Sequence, residues 1–204
     1  QGETLFRVQP LQSPPNRAAF DPTRAGQWSA VVCFVQAALR VTPTFELSDA
    51  NLDGVLELLH LCGGLPLAIE LAAQWLRVCD LDELVDRART SMEPFSGASA
   101  DLPADQLDLR SSILATVAAL APDDLEVLAA LAHLGAVSSA GLSAGLSKRV
   151  SLGVLGRLVD RNIVESGPER GRAISLHPLI RQVVVTGSDG SDVQLRFVHW
   201  LVGE

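Results

Sequence analysis

The stretch Gly63-Gly64-Leu65-Pro66-Leu67-Ala68-Ile69-Glu70-Leu71-Ala72-Ala73 decides how the chain is read. Glycine is the usual residue just past a helix C-terminus, and proline suits a first helical turn, where a missing N–H costs nothing. The pair of glycines therefore ends one helix and Pro66 opens the next. That second helix is apolar nearly all round, so it is expected to be buried. The stretch predicts a helix–elbow–helix with other elements packed around it.

Upstream of the elbow, Val31, Val32, Phe34, Val35, Ala38 and Leu39 recur at helical spacing and predict a helix over 28–40. Ser48 is read as the N-cap of a second helix ending at His60–Cys62, with Asp49 and Asp53 near its positive end. The elbow helix is expected over 66–78. Asp80 is read as the cap of a short helix over 81–90. Before all of these, Thr4–Val8 reads as a short strand. Pro10, Pro14, Pro15 and Pro22 then mark an extended connector.

Downstream of the elbow, Pro94, Gly97 and Pro103 among small residues make 96–108 the linker candidate. Helices are expected over 109–120, 122–134, 139–146 and 149–160. Ile163–Glu165 and Ala173–Leu176 alternate as a hairpin around Ser166-Gly167-Pro168. Pro178 opens a last short helix through Val185, and 192–202 reads as the start of an amphipathic helix. Asp123 and Asp124, like Asp82 and Glu83, fall in first helical turns, where the helix dipole accounts for them.

The expected fold is mainly α. A four-helix-bundle-like domain (27–95) follows a connector (1–26). After the linker comes a winged helix-turn-helix domain with a small β-hairpin (109–186), then the beginning of a further helical region (187–204). No repeat recurs at 20–50 residue spacing.

Composition narrows the function. Apolar residues make up 48% of 204 positions, enough for a sizeable core, and the net charge is −8. That charge argues against whole-chain binding to nucleic acid or a membrane surface. Three cysteines in apolar helical patterns, with no secretory leader or membrane-length apolar run, suggest reduced thiols in the cytoplasm. No C-x-x-C, H-E-x-x-H or G-x-S-x-G pattern occurs.

Three sets of residues stand out. At the elbow, a helix N-terminus with free N–H groups beside the flat ring of Pro66 could meet a ligand; spacing alone favours a tight turn that buries two helices. His177 lies where a strand hands over to a helix. It could donate to a phosphate, but spacing favours a residue that caps the junction. Lys148, Arg149 and Arg157 are the cations a winged helix would offer to DNA. Residues 109–186 carry eight cations against six carboxylates, thin for a module that neutralises several phosphates, and most of the 149–160 helix face is apolar. A P-loop needs G-x-x-x-x-G-K-[ST]. Lys148 is the single lysine, and the glycines at 141 and 145 before it have the wrong spacing.

The segment from Gly63 to Ala73 resembles the "GLPLAIELAA" segment of bacterial STAND ATPases with an NB-ARC-type module, the large regulators of the AfsR/SARP and LuxR-like groups. Phe6–Leu11 resembles the strand and "PL" that close their nucleotide-binding domain. Ala30–Phe34 resembles "A-V-x-L-F". Asp101–Arg110 resembles the "LP" to "LR" entry of their winged helix, and Leu155–Val164 is similar to "L-x-x-L-V-D-K-S-L-V". The resemblance implies a regulatory module that closes over ADP or ATP, with Mg, held by an upstream P-loop domain. Gly64, Leu65, Pro66 and Leu67 would contact the nucleotide, Pro66 packing on adenine. His177 would match the "MHD" histidine on the ADP phosphate, although Pro178 stands where that motif has an acid. The implied partners are the upstream nucleotide-binding domain, a downstream helical-repeat sensor and, in the active state, further copies. The chain itself would not be an enzyme; the whole protein would be a slow ATPase in a transcriptional regulator. The alternatives are a DNA-binding winged-helix protein with a helical dimerisation or effector domain, and a protein-interaction scaffold.

Overall fold

Two compact units divide the chain at Leu109/Arg110. The computed structural model describes residues 8–96, 109–166 and 173–185. The strand expected before Val8, the linker beyond Ser96, the hairpin turn with Arg170 and Arg172, and the helix expected over 192–202 lie outside the described residues.

The first unit holds four α-helices: α1 (Ser29–Val41), α2 (Leu52–Cys62), α3 (Pro66–Gln74) and α4 (Leu81–Thr90). Helix α1 packs most extensively on α3, and α2 on α4. Phe34, Leu58, Leu59, Ile69, Leu71 and Leu84 are fully buried between them. Phe34 meets Phe45 edge to face, with ring centroids 5.7 Å apart, a favoured aromatic geometry. Helix α4 starts as its sequence predicts, because the Asp80 carboxylate accepts the Glu83 N–H at 2.8 Å.

Two departures are local. Helix α2 begins at Leu52 rather than after Ser48. The Asn51 carboxamide turns back to accept the Ser48 N–H at 2.9 Å and donates to the Glu46 carbonyl at 2.8 Å, so Ser48 caps nothing with its side chain. Helix α3 ends at Gln74 and tightens into a 3-10 turn over Trp75–Arg77, a common way to close a last turn.

The second unit contains α5 (Leu109–Ala118), α6 (Pro122–Leu134), α7 (Ser139–Gly145), α8 (Leu152–Asp160) and α9 (Pro178–Val185). Strands β1 (Val164–Ser166) and β2 (Ile174–Leu176) pair antiparallel, with Glu165 opposite Ser175. Val137, between α6 and α7, bridges to Ile174 on the same strand. Helix α6 is the axis of this unit: α7, α8, β2 and α9 all pack on it. Leu128, Leu131, Leu142, Leu158 and Ile163 form its buried centre. The chain is thus mainly helical with a small two-stranded antiparallel sheet. Among the described residues, no helix is long and apolar enough to cross a membrane.

Candidate functional site

The elbow is built by backbone conformation. Gly63 closes α2 in the left-handed region at φ 61°, and its N–H donates to the His60 carbonyl at 3.0 Å. Gly64 follows at φ 73°. The Leu65 N–H then reaches the Cys62 carbonyl at 3.2 Å. L-residues with side chains disfavour this region, so two consecutive left-handed positions call for glycine. Pro66 opens α3 at a position that needs no donor.

Gly64 is buried for a second reason. Its carbonyl accepts the Leu11 N–H at 2.8 Å. A Cβ there would stand 2.5 Å from the Leu11 carbonyl oxygen and 2.9 Å from Pro10 Cβ. The connector lies directly on the elbow. On the other side, Ala68 and Ile69 are buried, while Pro66 and Leu67 are exposed. The first-turn N–H groups of Leu67 and Ala68 have no carbonyl one turn back to pair with. The elbow therefore offers an apolar ring and a side chain beside a helix N-terminus, suited to a flat aromatic group carrying an anion.

His177 sits between β2 and α9 and is half-buried. Its Nδ1 accepts the Leu179 N–H at 3.3 Å, and its carbonyl accepts the Arg181 N–H at 3.0 Å. It is the N-terminal cap of α9, and Nδ1 as acceptor places the ring proton of the neutral imidazole on Nε2. Pro178 fits this local structure, since it occupies the first position of α9. His177 belongs to the second unit and the elbow to the first.

The three cations separate. Lys148 is paired with Glu126 of α6. Arg157 is bound to Asp124 of α6, from Nη2 at 2.5 Å and from Nε at 3.2 Å. Arg149 is exposed and precedes α8, because Ser151 caps that helix by accepting the Val154 N–H at 3.2 Å. The helix expected from 149 starts three residues later than its sequence suggested.

Asp124 also corrects a reading. It is 1% exposed and paired, so dipole compensation alone does not account for it. The signal was present: 124, 127, 128 and 131 share one face at helical spacing, and that face is buried. Hydrogen bonds from Arg157 hold the Asp124 carboxyl below its ordinary range, aided by the charges of Arg157 and Arg161 and opposed by burial.

Elsewhere in the first unit, a cleft of about 90 Å³ is lined by Trp75, Val78, Cys79, Leu84 and the Glu83–Arg87–Glu93 ion pairs. Its one thiol is pushed up by burial and by the charge of Glu83, against the pull of Arg87. Among the described residues no group of His, Cys, Asp and Glu could hold a metal ion. No family model and no curated protein matches the chain.

Proposed function

We propose that this chain is the regulatory part of a STAND-type nucleotide-dependent switch, acting with an upstream P-loop domain in a transcriptional regulator of the cytoplasm. One observation carries the reading. Pro66 and Leu67 stand exposed at the start of α3, while Gly64 behind them is seated on Pro10–Leu11. Pro66 opens α3 with its ring exposed, and a flat apolar ring of this kind suits an adenine.

In this reading the upstream domain supplies the phosphate cradle, the Mg ion and any slow hydrolysis, and this chain performs none. Gly64, Leu65, Pro66 and Leu67 contribute one contact to ADP or ATP and His177 another. The second unit is read as a winged helix. The order α6, α7, α8 and then a hairpin supports that, as does the bridge from Val137 to the hairpin strand. A downstream helical sensor and assembly of further copies complete the proposed switch. A DNA-reading role for this winged helix is disfavoured, because Lys148 and Arg157 are already neutralised on α6.

The test uses a longer protein that includes the upstream domain. It is expected to bind ADP, and Pro66→Ala and His177→Asn are each expected to weaken that binding about tenfold, close to 1.4 kcal/mol. Asparagine is a good helix cap, so the second variant keeps α9 closed while removing the imidazole. Absence of ADP binding, or unchanged affinity in both variants, overturns the proposal.

A further inference from the structure

Residues 10–17 contain Pro10, Pro14 and Pro15 and read as part of the connector, yet they are fastened at several points. The Leu11 N–H donates to the Gly64 carbonyl at 2.8 Å. The Gln12 N–H donates to Ser29 Oγ at 2.9 Å, and the Gln12 carbonyl accepts the Ala30 N–H at 3.1 Å. Helix α1 has no side-chain cap of its own. The Gln12 carbonyl thus satisfies one of its otherwise orphaned first-turn donors. Two adjacent residues of the connector therefore hold the entry of α1 and the elbow before α3, the most extensively packed helix pair of the unit.

Pro14 is buried behind them. Arg17 then donates from Nη1 to Asp53 at 2.9 Å and from Nη2 to Asp49 at 3.0 Å. These ion pairs are exposed and contribute little. The backbone bonds and the seat on Gly64 are the attachment, and that seat is as close as a residue without Cβ permits.

We propose that residues 10–17 are a strap, mechanically part of the helical unit, so that the pivot toward the domain joined upstream lies before Pro10. The strap itself is a property of this chain; the upstream pivot rests on the switch reading above. The consequence is regulatory. Motion of the upstream domain is taken up before Pro10, and the strap, the elbow and the helical unit move as one body. Pro10 sharpens the boundary, since it bars Gln9 from helical conformations.

Native-state amide exchange on the 204-residue chain tests the strap. The Leu11 and Ala30 amides are expected to open only with the core of α1 and α3, with the denaturant dependence of that whole unit. Gly64→Ala is expected to raise Leu11 exchange about tenfold or more. Ser29→Ala, an exposed change that spares the fold, is expected to raise Gln12 exchange selectively. Wild-type opening of Leu11 with little denaturant dependence, at rates of unstructured peptide, overturns the strap. In the longer protein, ADP is expected to alter exchange before Pro10 and leave Leu11 and Ala30 protected. Loss of protection at Leu11 on adding ADP would move the pivot into the strap and overturn the assignment. Failure of ADP to bind removes the switch reading, while the strap is still decided by the first measurement.

Discussion

Arg157 of α8 grips Asp124 of α6 through Nε and Nη2, and the carboxylate it holds is 1% exposed. A buried carboxylate without its partner is costly, so this pair fixes α8 against the axis of the second unit. The Asp124 carboxyl is held down in the folded state. Its contribution is therefore fully present above the unfolded value, about 3.9. It is lost as pH falls through the lower folded value. Thermal melts between neutral and acidic pH should show Asp124→Asn less stable at neutral pH by about 5 °C or more. The gap should close on acidification. Parallel curves for wild type and variant at every pH contradict this.

Gly64→Ala meets two costs. It meets the left-handed backbone penalty, about 1–2 kcal/mol, and it drives a Cβ to 2.5 Å from the Leu11 carbonyl oxygen. Denaturant unfolding should show a loss clearly above that penalty. A loss no larger than about 1–2 kcal/mol would mean that the connector yields freely.

His177 caps α9 through Nδ1. His177→Ala should lower the stability of the second unit by about 1 kcal/mol, and His177→Asn by less. Equal loss in both variants would show that the cap contributes nothing, and that other contacts of the imidazole dominate.

The DNA alternative has a direct reading. With Lys148 on Glu126 and Arg157 on Asp124, fluorescence anisotropy with random duplex at low salt should show weak binding with a shallow salt slope. Arg149→Glu should change it little. Tight, steeply salt-dependent binding abolished by charge reversal at Arg149 and Arg157 would make this a DNA-binding module.

Cys33, Cys62 and Cys79 are all unpaired. Burial pushes each thiol up, Cys62 most of all, as it is fully buried. Labelling with a disulfide reagent near pH 8 should be slow in the native protein and fast after unfolding, with Cys62 labelled last. Rapid native labelling of Cys62 would mean that α2 opens locally.

The sequence by itself settled the elements whose signals lie within one turn of chain. Pro122, Pro178 and Asp80 mark the starts of α6, α9 and α4 because a missing donor or a capping carboxylate acts on its immediate neighbours. The elbow was legible for the same reason: Gly63, Gly64 and Pro66 are backbone requirements that no other residues meet as well. Helix starts were harder. Asn51 folds its side chain back onto the Ser48 N–H, so α2 starts at Leu52, and Ser151 caps α8, which starts three residues past Arg149.

Tertiary structure decided the rest, because it brings together groups far apart along the chain. No local pattern tells Leu11 to find Gly64, or Arg157 to find Asp124. Those pairings follow from where α1, α3, α6 and α8 pack. They turn a proline-rich linker into a fastened strap, and they turn a cation offered to DNA into a structural tie. The elbow's shape was written in its glycines; what it rests on was fixed only when the chain folded back over it.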